Sequence, residues 1–170
     1  KAAGAKLAYD PKLFTRDMLK RLGAHPLLAV SNLVDAIWQG RPPALNTPLF
    51  IHDAKYNGEA AAAKRVRIAQ AIKRMGADAA LIVAPDSVCW LLNIRARDVE
   101  HTPLVLAPLI LDAKGNAELF VAPSRVGADV AAHLGNQVAV SDPAALAETL
   151  ARHGREKKKS LVDPRSVPVW

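Results

Sequence analysis

Apolar residues along the chain change their spacing several times, and each change marks an element. Glu59–Met75 is the longest helical pattern, with Ala61, Ile68, Ile72 and Met75 on one face, Arg65 at its edge and Gly76 as a C′ stop. The apolar run Ala79–Val83, closed by Pro85, has the length of a buried strand. Asp86 and Ser87 stand where an N-cap belongs, ahead of the short helix Val88-Cys89-Trp90-Leu91-Leu92. Two more apolar runs, Leu104–Leu111 and Ala117–Val121, flank Asp112-Ala113-Lys114-Gly115-Asn116 and read as a β-hairpin. Pro108 suits a central strand badly, which puts Leu104–Leu111 at a sheet edge or on a bulge. Ser124 opens a helix carrying Val126, Val130 and Leu134, ended by Gly135-Asn136, and Gln137–Val140 is a short strand. Asp142-Pro143 then starts a helix with Leu146 and Leu150 at i, i+4. After a charged loop, Gly154–Ser160, the pair Leu161-Val162 is the last strand. The order predicts an α/β fold: a mixed sheet with one antiparallel hairpin beside parallel strands, and helices packed on it.

Residues 1–43 carry shorter elements. Leu7–Tyr9 ends a strand, Phe14–Leu22 is a helix stopped by Gly23, and Leu27–Val30 is a strand. Asn32 caps a turn or helix through Val34, Ile37 and Trp38, closed by Arg41-Pro42-Pro43. Residues 44–57 read as a linker and residues 58–170 as the main domain.

Composition narrows the function. Half the residues are hydrophobic (51%) but only 5% are aromatic, so the core is built from Ala, Val, Leu and Ile. No apolar stretch reaches the ~20 residues needed to cross a bilayer, so no membrane partner is expected. A lone Cys89 in an apolar context reads as a buried structural thiol and fits a reducing, cytoplasmic location. The segment after Lys1 has no signal-peptide pattern, and the lack of an initiator Met suggests a piece of a longer protein. The net charge of +7 comes largely from Lys64, Arg65, Arg67, Lys73 and Arg74 on one helix and from Arg152–Arg165 near the end. With no aromatic residues interleaved, these read as solvated faces rather than a nucleic-acid surface.

The five histidines, His25, His52, His101, His133 and His153, form no HExxH or other close pair. Nor is there a GxSxG, Walker A or GxGxxG pattern, so the chain by itself is expected to hold no catalytic site and no metal. The cluster Arg95-Ala96-Arg97-Asp98-Val99-Glu100-His101 supports two readings. Either it faces another domain or a substrate, with Arg95 anchoring a carboxylate, or Arg95 and Asp98 pair and tie the loop to its own domain. Trp90 reads as a core residue pinning the short helix, and Trp38 as an exposed interdomain contact.

The stretch WLLNIRARDVEHTP, Trp90–Pro103, resembles the WLxNxRGxDVxxxP signature of cytosolic three-domain Xaa-Pro aminopeptidases, with Ala96 where the family has Gly. Asn32–Pro42 (NLVDAIWQGRP), Lys55–Arg65 (KYNGEAAAAKR) and Asp163–Pro168 (DPRSVP) agree in the same order. The resemblance implies the creatinase N-terminal, ribonuclease-H-like fold. Residues 1–43 would be the C-terminal remnant of a first such domain, exposing apolar surface it evolved to bury and so poorly ordered or docked on a neighbouring chain, and 58–170 the second. It also implies a parent hydrolase that releases the N-terminal residue before proline, using two divalent metals, typically manganese, in a C-terminal pita-bread domain. In that parent these residues would shape access for proline-containing peptides and support a homodimer. Arg95, Arg97, Asp98, His101 and Trp38 are the candidates for substrate-access or interdomain contact. The alternatives are a stand-alone binding module of the same fold, or part of a prolidase or creatinase relative.

Overall fold

The computed structural model describes residues 5–43 and 46–169. The start of the 1–43 segment, the start of the 44–57 linker and Trp170 lie outside that description. The chain divides into two units, residues 1–44 with 163–170, and residues 45–162. Residues 45–57 thus fall within the second unit, and 163–170 with the first, where sequence spacing assigns them to a linker and to the second domain.

In the first unit β1 (Leu7–Tyr9) pairs in parallel with β2 (Leu27–Ala29) around α1 (Arg16–Arg21). Thr15 caps α1, accepting from the Met18 N–H at 3.2 Å, and Asn32 caps α2 (Leu33–Ile37), accepting from Val34 at 2.9 Å. The returning tail is held by its backbone: the Val169 N–H donates to the Phe14 carbonyl at 3.0 Å and Asp17 to Pro164 at 3.2 Å. On α2 and just beyond it, Leu33, Ile37 and Trp38 are 67%, 77% and 52% exposed.

The second unit opens with β3 (Phe50–Ile51), α3 (Ala54–Asn57) and α4 (Ala61–Arg74). Then follow β4 (Ala79–Ile82), α5 (Pro85–Leu92), β5 (Ile94–Arg95) and the hairpin β6 (Leu109–Asp112) with β7 (Ala117–Phe120). A 3-10 turn at Pro123–Arg125, α6 (Ala128–Leu134), β8 (Val138–Ser141), α7 (Ala145–Arg155) and β9 (Ser160–Leu161) complete it. The five-stranded sheet runs β8-β7-β6-β4-β9; β6 is antiparallel to both neighbours and the outer pairs are parallel. This is the mixed sheet with one hairpin that the apolar spacing predicts.

Several local expectations need correction. The helix expected to open at Ser124 begins only at Ala128, because Val126 is extended between it and the 3-10 turn, and α7 begins at Ala145 with Ala144 rather than Asp142 as its cap. β6 is central, not at an edge, because the strand begins after Pro108; the missing N–H then lies outside the ladder, and the Pro108 carbonyl accepts from Phe120 at 3.0 Å. α5 starts at Pro85 with Ala84 as its cap, so Asp86 sits inside the first turn, where its charge suits the helix dipole. α4 buries Lys64 and Arg65, while Met75 is 69% exposed. The hairpin turn uses a glycine in left-handed backbone: Gly115 has φ +93°, and the Asp112 carboxylate accepts from the Lys114 and Asn116 N–H groups at 2.9 and 2.8 Å.

The core lies where α5 and α6 pack on the sheet centre. Leu109, Leu111 and Leu119 meet Val88, Leu92 and Val130, all fully enclosed. β6 is covered on both faces, which is why its sequence is a continuous apolar run rather than an alternation.

Candidate functional site

The loop after α5 is built from its start by an unusual helix end. Asn93 takes φ 52°, ψ 42° and ends the helix, a conformation Asn tolerates better than any branched residue. β5 then pairs antiparallel with β3, Phe50 opposite Arg95. Ala96, where the resembled signature has Gly, is fully buried and not among the residues with positive φ.

Asp98 turns inward and meets Arg125, whose Nη2 donates to both carboxylate oxygens at 2.6 and 2.7 Å. The Thr47 hydroxyl and the Leu106 N–H donate to the same carboxylate at 2.6 and 2.9 Å. Arg125 Nε donates to the Thr47 carbonyl at 2.7 Å, and the Thr47 hydroxyl oxygen accepts from the Arg97 N–H at 3.1 Å. The Asp98 and Arg125 side chains are only 2% and 6% exposed. Burial alone would push the Asp98 carboxyl up, but the Arg125 guanidinium, the Thr47 hydroxyl and the Leu106 amide hold it below the usual carboxylate range.

Asp98 therefore pairs with Arg125 and not, as adjacency suggests, with Arg95. Arg95 instead donates through Nη1 to the Cys89 and Ile94 carbonyls at 2.9 and 2.8 Å, a cation set against the C-terminal end of α5. Arg97 and His101 stand at the exposed tip, where His101 has φ +58° and lies 3.4 Å from Glu100. A cavity of about 350 Å³ is lined there by Arg97, Val99, Glu100, His101, Thr102 and Pro103. Trp38 belongs to the first unit, with the Arg41 guanidinium 5.5 Å over its ring. Of the five candidates, the loop thus groups Arg97 and His101 at its tip, Asp98 beneath them, and Arg95 back against α5.

Two groups were not legible as site residues. Arg125 is one of only two basic residues between Leu104 and Leu150, and that isolation is its only sequence signal. Lys64 is 1% exposed, so it does not belong to a solvated face. Its Nζ donates to the Trp90 carbonyl at 2.9 Å and to Asn93 Oδ1 at 2.7 Å, and lies 4.7 Å from the Trp90 ring. Burial lowers its pKa, opposed by Glu59. Trp90 is not core but 40% exposed, with Arg67 also over its ring at 5.5 Å.

Cys89 is buried; its sulfur accepts from the Val105 N–H at 3.3 Å, and burial pushes the thiol up. Native protein at neutral pH is accordingly expected to leave Cys89 unmodified by an aromatic disulfide reagent, with full reaction only in denaturant. Rapid labelling without denaturant would show that the α5 packing opens.

Among the described residues no group of three or more His, Cys, Asp or Glu side chains is placed to hold a metal ion. His133 Nε2 is committed to the Leu92 carbonyl at 2.9 Å. These residues do not fit a dinuclear centre. No helix among them is long and apolar enough to cross a membrane.

The geometry agrees with what the chain is similar to. The Creatinase/Prolidase N-terminal domain family matches residues 40–170. Aminopeptidase P2 of Arabidopsis thaliana is 36% identical over 144 residues, covering 79% of this chain and 20% of that protein. Xaa-Pro aminopeptidase app-1 of Caenorhabditis elegans is 32% identical over 115 residues, covering 64% of this chain and 19% of the relative. A crystal structure of X-prolyl aminopeptidase from Caenorhabditis elegans, described as a cytosolic enzyme with a di-nuclear active site, superposes with a TM-score of 0.79 at 27% identity. It covers 94% of this chain and 28% of that one. The chain thus spans about a fifth of the length of the curated relatives it matches. The resemblance carried by Trp90–Pro103 is borne out, and the chain belongs to the Creatinase/Prolidase N-terminal domain family.

Proposed function

We propose that this chain is the non-catalytic N-terminal part of a cytosolic Xaa-Pro aminopeptidase, and that it limits which proline-containing peptides reach a catalytic domain elsewhere in the same polypeptide. The observation that carries this reading is the Arg97–Pro103 tip, exposed to solvent yet anchored by the buried Asp98–Arg125 clamp. A ledge that keeps its shape can exclude long or branched substrates by steric contact, where a mobile loop would yield. Arg97 and His101 are then the residues that face substrate or the catalytic domain, and Asp98 and Arg95 hold the loop in place. Two divalent metal ions, manganese in this reading, would supply the activated hydroxide in that other domain. The exposed apolar side chains Leu33, Ile37 and Trp38 support docking of the first unit within a homodimer.

The test uses the full-length protein with manganese and a series of Xaa-Pro peptides of increasing length. In an Arg97→Ala/His101→Ala variant the ratio of kcat/KM between short and long peptides is expected to fall several-fold with unchanged thermal stability. Unaltered ratios would remove the access role. If the full-length wild type cleaves no such peptide, a stand-alone binding module becomes the better reading.

A further inference from the structure

A cavity of about 430 Å³ lies at the start of α4, distinct from the one at the Arg97–Pro103 tip, and its lining contains Arg65, Asn93, His133 and Gln137 but no carboxylate. Arg65 is 4% exposed. Its Nε donates to the Gly115 carbonyl and its Nη2 to Gln137 Oε1, both at 3.3 Å and both to neutral oxygens. Among the described residues no acid lies within ion-pair distance of it, whereas the other buried arginine, Arg125, has Asp98 at 2.6 Å. Among the described residues Arg65 Nη1 has no hydrogen-bond acceptor. Because no fully enclosed side-chain nitrogen or oxygen among the described residues is left without a partner, this nitrogen is not sealed off, and Arg65 is one of the residues lining the cavity. Burying a guanidinium without a counter-charge is costly, and an anion in the cavity would remove that cost.

The same cavity is reached by the first turn of α4, which comprises Ala61, Ala62 and Ala63. The first helical hydrogen bond runs from the Lys64 N–H to the Ala60 carbonyl at 3.2 Å, so the three preceding amides lack helical acceptors. No side chain caps this end, and its first turn holds no acid. The nearby Glu59 carboxylate is turned to Arg67 instead, at 2.7 Å. The geometry points to a binding site for a small free oxyanion, carboxylate or phosphate, held between Arg65 Nη1 and the Ala61–Ala62 amides, with Gln137 alongside. Ala54 and Leu134 on the wall leave room for a short apolar body attached to the anion.

Isothermal titration of the full-length protein with sodium phosphate, and separately with sodium propionate, at constant chloride, tests this. One-to-one saturable binding of at least one of the two anions is expected. Arg65→Met should weaken it at least tenfold. Ala62→Glu, which sets a carboxylate at an exposed position on the cavity rim, should do the same with Arg65 in place and the fold kept. If Arg65→Met does not fold, Ala62→Glu alone decides. No saturable binding of either anion, or binding undiminished in the deciding variant, overturns the site.

Discussion

Arg125→Met is expected to lower the unfolding free energy by about 3–5 kcal/mol, read from urea denaturation at neutral pH. The substitution keeps most of the side-chain volume but leaves the Asp98 carboxylate enclosed, with only Thr47 and Leu106 as donors. Asp98→Asn should cost a comparable amount from the other side, since it strands the guanidinium. Replacing both partners with apolar residues should recover a large part of either loss, because no unpaired charge is then buried. A loss under about 1 kcal/mol for the single variants would mean the pair is solvated and the loop is held by something else.

The pair also sets an acid limit on stability. The native carboxyl of Asp98 titrates below its ordinary value of 3.8. A depressed carboxylate pKa gives stability that is complete above the unfolded value and is lost as pH falls through the native one. Wild type should therefore lose stability below about pH 4 more steeply than Asp98→Asn.

The second large effect is expected at Asn93. Asn93→Ala should cost about 3–4 kcal/mol, from two sources. It removes one of the two hydrogen bonds to the buried Lys64 ammonium and leaves the Glu59 carbonyl without the Asn93 amide, which donates to it at 2.9 Å. It also puts Ala, which has no polar side chain to offset the strain, into left-handed backbone that Asn accepts at little cost. Asn93→Gly separates the two: it keeps the backbone conformation and loses only the side chain, so it should be less damaging than Ala by about 1 kcal/mol. Equal losses for Gly and Ala would show that the helix end carries no backbone strain in the variant. Trp90, whose carbonyl and ring both face Lys64, should report the change by a shift in its fluorescence.

The apolar spacing carried most of the fold. Ala79–Val83 and the hairpin around Gly115 were readable as short apolar runs bounded by turn residues, and Val130 with Leu134 in α6 and Leu146 with Leu150 in α7 by their i, i+4 spacing, whereas Val126 lies outside α6. Pro108 misled because a proline constrains only its own N–H; it could not say that the strand begins one residue later. The site was readable only in part. Trp90–Pro103 was identified as one stretch, and Arg97 and His101 do share its exposed tip. Its partners were not, since Thr47, Arg125 and Lys64 lie 51, 27 and 34 positions from Asp98, and a charged side chain has the same appearance in sequence whether buried or solvated.

Local chemistry alone determined that this chain is an α/β unit with a hairpin, a lone structural thiol and a charged loop after a short helix, because turn residues and apolar periodicity act over a few positions. Only the tertiary structure decided that Asp98 faces Arg125 rather than Arg95, that Lys64 closes α5, and that Arg65 is buried beside an open cavity without an acid. Those outcomes depend on which charges end up together once water is excluded, and that is fixed by the packing of distant elements.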